Sequence, residues 1–366
     1  MIGVYIHIPF CRTLCPYCDF FSVDIAGAVP SAYVESVCQE ILTFPRAGAL
    51  ANAGTLAAIF FGGGTPSLMK ESGLRCILEA LRKKFAVTAD AEITIESNPD
   101  DVTTELIEAW KRAGINRVTL GVQSFNGATL RYLGRRHDAA TAVRACKLVA
   151  GGFDNWGMDL IFGAKPVDAW PETLEQCIAL QPKHVSTYGL TYEPETPFAA
   201  RAHEAVDDET WLRLYHQAAS RLSAYDHYEI SNYALPGYQC RHNLIYWRNE
   251  EYAGFGAAAY SFIDSVRARN PADIERYTAN PGAKEESICL TEREIRVETL
   301  IQHFRLKAGI EKSEYVRRFG QEIRPKFAAP IDKLIGRGLL WEDDVHIAPT
   351  ERGFELNNEI GLEIVG

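Results

Sequence analysis

Strand-like and helix-like segments alternate through the first half of this chain, and that order limits the folds open to it. Short apolar runs end in glycine, proline or polar residues, and each is followed by a run with helical periodicity. Such alternation indicates βαβ units and a parallel sheet. The predicted strands are Gly3–Ile8, Leu56–Phe61, Glu92–Glu96, Arg117–Val122, Trp156–Ile161 and His184–Thr191. The predicted helices between them are Ala32–Leu42, Leu74–Phe85, Thr104–Ala113, Ala139–Ala150 and Ala169–Leu180.

Six βα units are too few for a closed eight-stranded barrel, so the pattern predicts an α/β fold that is either a partial (β/α)6 barrel or a doubly wound sheet. The placement of polar residues favours the partial barrel. Cys11 and the run Gly62-Gly-Gly-Thr65 follow the first two strands, and Glu96, Gln123 and Asp159 lie at or near the ends of three later strands. In parallel α/β folds, chemistry collects at the carboxyl ends of the strands.

Length and charge exclude some classes of protein. The 366 residues are enough for one large domain and a smaller one, and the net charge of −10 gives no sign of a nucleic-acid-binding stripe. No apolar run approaches the roughly 20 residues that span a bilayer. The start, MIGVYIHIPFC, lacks the features of a signal peptide. We therefore expect a cytoplasmic protein, with peripheral membrane contact left open.

The second half predicts two further regions. We expect a core domain over residues 1–205, an extension over 206–284 and a small C-terminal α+β domain over 285–366. The stretch Asn270–Lys284 resembles a linker, and LLWEDDVHIAPT resembles a β-hairpin that turns at Asp343-Asp344. Helices followed by a hairpin suggest a winged-helix-like domain, and its acidic hairpin favours protein contact or a lid role over DNA binding. Helices are predicted here over Glu209–Ala224, Glu292–Arg305 and Pro330–Arg337.

Nine cysteines in a chain of this kind favour metal binding or burial over disulfides. Four of them lie in amphipathic helical stretches and are predicted to be small core residues: Cys38, Cys76, Cys146 and Cys177. Cys289 belongs to no motif.

Three other cysteines, Cys11, Cys15 and Cys18, form a C-x3-C-x2-C run directly after the first strand. Three thiolates on one loop can hold an iron–sulfur cluster and leave one iron without a protein ligand. An open coordination position lets a metal bind a small molecule. The alternative is a structural zinc site, with His7 or Cys240 as the fourth ligand.

The triad, its aromatic Tyr17 and the preceding YIHIPF resemble the radical S-adenosylmethionine superfamily. Within it, the chain resembles the group that contains oxygen-independent coproporphyrinogen III oxidase and the HemW-type haem chaperones. The resemblance implies a partial (β/α)6 radical-SAM barrel with a [4Fe-4S] cluster on Cys11, Cys15 and Cys18. It also implies reductive cleavage of S-adenosylmethionine to methionine and a 5′-deoxyadenosyl radical, with no catalytic residue assigned beyond the cluster.

The same resemblance implies an S-adenosylmethionine site. Taken singly, a glycine-rich turn or a strand-end acid is more often structural than functional. Each candidate, however, lies inside a motif that matches the superfamily. The residues implied to contact S-adenosylmethionine are Tyr5, Gly63, Gly64, Thr65, Glu96, Gln123, Arg135 and Asp159.

Two features favour the chaperones over the oxidase. Phe20 stands where the oxidase has a fourth cysteine, and Tyr5 lies too near the start for the oxidase's longer N-terminal segment. The run Arg241–Trp247 (RHNLIYW) matches the H-N-x-x-Y-W motif of the chaperones, which implies that His242 ligates haem. Cys240 is a competing ligand. The structural alternative is a core-facing aromatic strand whose histidine is satisfied by a hydrogen bond.

The sequence therefore predicts a haem chaperone that binds a [4Fe-4S] cluster, S-adenosylmethionine and haem, and delivers haem to an unidentified haemoprotein. The alternative is an oxygen-independent coproporphyrinogen III dehydrogenase, which decarboxylates two propionates oxidatively. A monomer and a homodimer fit equally well.

Overall fold

A twelve-stranded sheet forms the centre of the computed structural model, which describes residues 2–45 and 55–366. The strands are β1 (Ile2–Ile8), β2 (Phe10–Cys11), β3 (Val23–Asp24), β4 (Thr55–Gly63), β5 (Ala86–Ser97), β6 (Arg117–Gln123), β7 (Asn155–Phe162), β8 (His184–Gly189), β9 (Asp226–Glu229), β10 (Asn232–Ala234), β11 (Tyr252–Phe255), β12 (Tyr260–Ile263), β13 (Val266–Arg269), β14 (Glu286–Cys289), β15 (Ile310–Glu311), β16 (Leu340–Glu342) and β17 (His346–Pro349).

The helices cover the sheet and build the C-terminal domain. They are α1 (Ser31–Thr43), α2 (Glu71–Lys84), α3 (Thr104–Ala113), α4 (Gly127–Tyr132), α5 (Ala139–Gly152), α6 (Trp170–Leu180), α7 (Asp208–Arg221), α8 (Arg241–Trp247), α9 (Ile274–Ala279), α10 (Glu292–His303), α11 (Lys312–Phe319), α12 (Arg324–Gly336), α13 (Glu351–Glu355) and α14 (Asn357–Val365). Short 3-10 turns lie at Pro66–Leu68, Pro99–Asp101, Val167–Ala169 and Pro197–Glu204.

The six predicted core strands are all present, and they pair in parallel in the order β1, β4, β5, β6, β7, β8. Crossover helices connect most of them, as parallel pairing requires. The sheet is open, with β14 at one edge and β9 at the other. The predicted α/β class and partial barrel are therefore confirmed, and the carboxyl ends of the core strands lie on one side of the fold.

Local signals explain why some elements begin and end where predicted. Helix α3 has the predicted bounds because the Thr103 side chain caps its first turn and Gly114, with a φ of 99°, ends it in a left-handed conformation. Asp138 caps α5 in the same way. The short helices α4, α11, α13 and α14 were not predicted, since none of them has a long apolar period.

The segment after α7 completes the sheet on both sides. Strand β11 pairs in parallel with β1, and β12, β13 and β14 continue outward as antiparallel strands. On the far edge, β10 pairs antiparallel with β8 and β9 pairs with β10. The middle of the chain is thus part of the main sheet and not a separate layer.

The predicted linker over 270–284 is wrong, because this stretch is packed into the core. It contains α9, and Asn270 and Tyr277 are fully buried. Both side chains donate to the buried carboxylate of Glu40 on α1, at 2.8 Å each. The backbone N–H of Gly256 and the Lys284 ammonium also donate to it, at 3.0 and 3.2 Å. Buried hydrogen bonds to Glu40 therefore hold residues 270–284 against α1.

The C-terminal domain has a hydrophobic core of its own and a three-stranded sheet in the order β15, β17, β16. The predicted hairpin is present as β16 and β17, and the Asp343 carboxylate accepts backbone N–H bonds from Val345 and His346 in its turn. The helix predicted over Pro330–Arg337 is longer, since α12 begins at Arg324 and bends at Phe327.

The cysteines predicted as core residues differ in exposure. Cys146 and Cys177 are fully buried and Cys38 is nearly so. Cys76 is exposed, so that prediction was wrong; its sulfur lies 3.0 Å from that of Cys38. In the part of the chain that the structure describes, no helix combines the length and apolarity needed to cross a bilayer.

Candidate functional site

The three motif cysteines lie on a loop that is fixed at both ends. Cys11 ends β2, and β2 pairs with β3, so the chain returns to the same place after the loop. The Cys11 carbonyl accepts a hydrogen bond from the Ile25 N–H at 2.8 Å. Within the loop, the Cys18 N–H donates to the Cys15 carbonyl at 3.1 Å. The backbone thus brings three sulfurs to one end of the sheet.

The glycine-rich turn at the end of β4 packs against this loop. A Cβ atom on Gly64 would lie 2.8 Å from the Phe10 nitrogen and 2.9 Å from the Ile8 carbonyl oxygen, so no larger residue fits. The Gly64 N–H donates to that carbonyl at 2.9 Å. Beside it, the Thr65 hydroxyl donates to the Cys11 sulfur at 3.3 Å. The turn therefore supports the cysteine loop directly.

Arg135 connects the cysteine loop with two strand ends. Its guanidinium donates to the Cys15 sulfur at 3.2 Å, to the Asn98 side-chain oxygen at 2.5 Å and to the Gly121 carbonyl at 2.8 Å. The Asn98 amide in turn donates to Thr65 at 3.1 Å. Asn98 was not among the predicted site residues. Its place just beyond the end of β5, in a polar Ser-Asn-Pro run, is the signal that could have identified it.

Two carboxyl groups lie deep in the same region. Glu96 accepts a hydrogen bond from the Gly63 N–H at 3.2 Å. Burial and the nearby Asp159 charge raise the pKa of Glu96 to about 8. Burial raises the pKa of Asp159 to about 6, against the opposing effects of Ser186, Arg117 and Arg135. Both groups lack the solvation that an ionised carboxyl needs, so a cationic or hydrogen-bonding ligand would stabilise their charged forms.

Gln123 has two unusual properties at the end of β6. Its φ of 66° lies in the left-handed region, which a residue other than glycine adopts at a cost in energy. Its side-chain oxygen is buried without a hydrogen-bond partner. An unsatisfied acceptor at a strand end is suited to a ligand that carries a donor.

These groups surround one cavity of about 770 Å³, including its open mouth, which we call the cysteine cavity. Ten of the twelve predicted site residues line it: Cys11, Cys15, Cys18, Gly63, Gly64, Thr65, Glu96, Gln123, Arg135 and Asp159. The structure thus brings together residues from the cysteine loop and from four strand ends and their connections. Within the described residues, no three His, Cys, Asp or Glu side chains are grouped around a single metal-ion position.

The two remaining predicted residues, Tyr5 and His242, do not line the cysteine cavity. The Tyr5, Phe60 and His242 rings form one cluster, in which the Tyr5 centroid lies 6.3 Å from that of Phe60 and 6.1 Å from that of His242. The His242 side chain is 2% exposed; its Nε2 atom lies 2.9 Å from the Tyr246 hydroxyl, and its Nδ1 atom has no hydrogen-bond partner. Burial and the Arg117 charge lower the pKa of His242 to about 3.

The segment that carries His242 is the helix α8, so the alternative prediction of an aromatic strand was wrong about its secondary structure. The nearby Cys240 is also buried, with its sulfur 3.7 Å from Glu92, and burial raises its pKa to about 12. His7, the other suggested fourth zinc ligand, uses one ring nitrogen toward Tyr5 and the other toward the Phe21 carbonyl. Neither suggested fourth ligand lines the cysteine cavity.

The chain is similar to known proteins over almost its whole length. Residues 5–177 match the model of the radical SAM superfamily, and residues 290–356 match that of the HemN C-terminal domain. Heme chaperone HemW of Lactococcus lactis is 32% identical over 98% of this chain and 96% of its own length. HemW of Escherichia coli is 35% identical, covering 96% and 95%. HemW of Synechocystis is 37% identical, covering 95% and 89%.

Among solved structures, the chain is similar to the coproporphyrinogen III oxidase HemN of Escherichia coli, described as a radical SAM enzyme. The TM-score is 0.82 and the identity 23%, over 99% of this chain and 89% of that one. At this identity, the likeness establishes the shared fold and nothing about activity.

Proposed function

Because this chain belongs to the HemW heme chaperone family of the radical SAM superfamily, we propose that it binds a [4Fe-4S] cluster, S-adenosylmethionine and haem, and delivers haem to a recipient haemoprotein. One observation carries the proposal: three cysteines and seven residues suited to a polar, charged ligand line the same cavity.

The donor set fits a cluster. Cys11, Cys15 and Cys18 supply three thiolates on one short loop, which leaves one of four irons open. Thr65 and Arg135 each donate a hydrogen bond to a cysteine sulfur, and such bonds stabilise the negative charge of a cluster. Cys11, Cys15 and Cys18 would hold the cluster, and a bound, reduced cluster would supply one-electron reduction of a sulfonium ligand. The surrounding residues hold the ligand in position and exclude water.

The cavity also fits S-adenosylmethionine, which carries an amino group, hydroxyls and a permanent positive charge. Glu96 and Asp159 are half-buried acids without a cation of their own at hydrogen-bonding distance among the described residues. The unpaired Gln123 oxygen offers an acceptor to a ligand hydroxyl or amine. We assign Tyr5 a supporting role beneath the pocket, because its ring packs on Phe60 and not on the cavity.

The cluster is tested by anaerobic reconstitution. Wild-type protein should contain about four irons and four sulfides per chain, the composition of a [4Fe-4S] cluster. The variants C11A, C15A and C18A should each lose most of both, whereas C76A should retain both because Cys76 is exposed and outside the cavity. If the protein instead contained one zinc ion per chain and no inorganic sulfide, the cluster proposal would be wrong and the cysteines would form a structural zinc site.

We propose His242 as a haem ligand, with Cys240 as its competitor. Both are buried in the described conformation, and a Cβ atom on Gly3 would lie 3.2 Å from the His242 Nδ1 atom. Ligation by His242 therefore requires α8 to move away from β1. Haem transfer to apomyoglobin, followed by its Soret band, tests the delivery step, with H242A compared with H203A, which changes an exposed histidine elsewhere. No transfer by wild-type protein would contradict the chaperone role.

The competing function is oxidative decarboxylation of coproporphyrinogen III. Phe20, at the place of the oxidase's fourth cysteine, is 64% exposed beside the cysteine cavity. An anaerobic assay with coproporphyrinogen III, reductant and S-adenosylmethionine distinguishes the two functions. We expect no vinyl product beyond background, and repeated turnover to a divinyl product would make the chain a dehydrogenase.

An oxygen-sensitive cluster and haem delivery fit the reducing cytoplasm, where we propose that the protein works.

A further inference from the structure

Two cysteines outside the cysteine cavity lie in contact between neighbouring helices. Cys38 is on α1 and Cys76 is on α2, and their sulfur atoms are 3.0 Å apart although 38 positions separate them in the sequence. A disulfide bond is about 2.05 Å long, so a movement of about 1 Å brings the sulfurs to bonding distance. Within the described residues, no third His, Cys, Asp or Glu side chain joins them around a metal-ion position. The contact therefore favours a bond between the two sulfurs over a metal site.

The two thiols differ in their access to solvent. Cys76 is exposed, whereas Cys38 is only 8% exposed. Burial raises the pKa of the Cys38 thiol, and so do the neighbouring Cys76, Glu35 and Glu79. A dissolved oxidant therefore reaches Cys76 first. An accessible thiol with a second thiol beside it is the arrangement of a redox-sensitive cysteine pair.

The helices that carry the pair support the two loops of the cysteine cavity. Helix α1 is the first α-helix after the cysteine loop, and α2 is the first after the glycine-rich turn. The Val29 N–H donates to the Leu68 carbonyl at 3.3 Å, which joins the segments that lead into the two helices. A Cβ atom on Gly73 would lie 3.4 Å from a Val34 methyl carbon, so the helices are close-packed at this end. A bond between the two sulfurs would fix them about one turn farther along.

We propose that a peroxide oxidises Cys38 and Cys76 to a reversible disulfide, which holds α1 against α2 and stabilises the fold around the cysteine cavity. Neither residue lines that cavity, so the inference does not depend on which ligands bind there. Disulfides in reducing compartments are usually transient and report on oxidants, and exchange with glutathione would return this one to two thiols.

The oxidation is balanced by the peroxide alone. The Cys76 thiolate attacks the O–O bond of hydrogen peroxide, forms an S–O bond and releases hydroxide, which leaves Cys76 as a sulfenic acid. The Cys38 sulfur then attacks the Cys76 sulfur, the S–S bond forms and the S–O bond breaks. The departing hydroxide takes the Cys38 proton. Two thiols and one hydrogen peroxide thus give one disulfide and two waters.

The linked product is identified by peptide mass in full-length protein treated with one equivalent of hydrogen peroxide. Cleavage after glutamate releases residues 36–40 and 72–79, which carry one cysteine each and none of the motif cysteines. Treated wild type should yield these two peptides joined, and dithiothreitol should separate them. C38A and C76A should yield no joined pair. If treated wild type yields none either, the inference is wrong.

Trapping with dimedone, which labels sulfenic acids, tests the order of the two steps. Cys76 should carry about tenfold more label in C38A than in wild type, because Cys38 no longer consumes the sulfenic acid. Cys289 is the matched control, since it is exposed on β14, and its labelling should be equal in the two proteins. Equal labelling of Cys76 in wild type and C38A would show that Cys38 does not react with it.

Unfolding in urea tests the effect on the fold. A disulfide that closes a loop of this length should raise the midpoint of treated wild type by roughly 1 M above that of the reduced protein. Treated C76A should show no such rise. If the linked protein unfolds at the same urea concentration as the reduced protein, the bond does not stabilise the fold and the inference fails.

Discussion

The Thr65 hydroxyl donates a hydrogen bond to the Cys11 sulfur over 3.3 Å, and this contact joins the glycine-rich turn to the cysteine loop. Hydrogen bonds to cluster sulfurs stabilise the reduced, more negative state. T65V removes the donor with almost no change in shape. We expect the reduction potential of the reconstituted cluster to fall by about 20–60 mV, the equivalent of one ordinary hydrogen bond.

The measurement is a redox titration followed by electron paramagnetic resonance. T65S keeps the hydroxyl and should keep the wild-type potential. An unchanged potential in T65V at full iron content would mean that this hydrogen bond has no influence on the cluster.

Arg135 should be essential for binding S-adenosylmethionine because it fixes three groups at once: Cys15, Asn98 and the Gly121 carbonyl. A lysine keeps the charge but cannot reproduce the planar fork of donors. R135K should weaken binding by on the order of 10- to 100-fold, the equivalent of one charged hydrogen bond. Calorimetry on the anaerobic protein measures this. R136K is the matched control, since Arg136 pairs with Asp100 and lies outside the cysteine cavity.

Glu96 should make the stability of the cofactor-free protein depend on pH. Its pKa is about 8 when folded, against an ordinary value of 4.5, so the folded state binds the proton more tightly. The stabilisation is complete below pH 4.5 and is lost as the pH rises through 8. Between pH 5.5 and 8.5, wild type should lose on the order of 1–3 kcal/mol more stability than E96Q.

Denaturant titrations at the two pH values measure this difference, in which the contributions of groups unaffected by the substitution cancel. E35Q on α1 changes an exposed acid and should follow wild type. Equal losses in wild type and E96Q would mean that Glu96 is ionised in the folded protein throughout this range.

Glu40 should be among the most sensitive positions for stability. Its carboxylate accepts hydrogen bonds from Gly256, Asn270, Tyr277 and Lys284 and is fully buried. In E40Q, an amide N–H2 group would face these donors and leave several without an acceptor. We expect a loss of about 3 kcal/mol in the free energy of unfolding, measured with a chemical denaturant. E35Q on the same helix should change it by less than about 0.5 kcal/mol.

The core strands could be predicted because each is a short apolar run that ends in glycine, proline or a polar residue. The pairing of β11 with β1 could not be predicted, since Gly3 and Tyr252, which pair, are 249 positions apart and carry no local sign of each other. Helix α8 was open to interpretation as a strand because RHNLIYW is too short for helical periodicity to stand out. Helix α9 was hidden in a stretch rich in turn residues, and only the buried Glu40 network explains why it is ordered.

For the site, the motifs identified residues that the structure gathers around one cavity, because strand ends in a parallel sheet meet at one edge. The position of Asn98 beyond β5 marks it as a candidate, but its contacts with Thr65 and Arg135 could not be predicted, since both partners are distant in sequence. The burial of His242 was also not predictable, because the motif specifies residue types and not their packing.

The position of β1 in the middle of the sheet has a consequence for biosynthesis. The strand that leads into the cysteine loop pairs with β4 on one side and with β11, at Tyr252–Phe255, on the other. Until β11 has been synthesised, the backbone N–H and C=O groups on that second side of β1 are unpaired and can pair with a wrong strand. A cluster inserted before β11 has paired with β1 would lie on an incomplete sheet, so we expect insertion to follow that pairing.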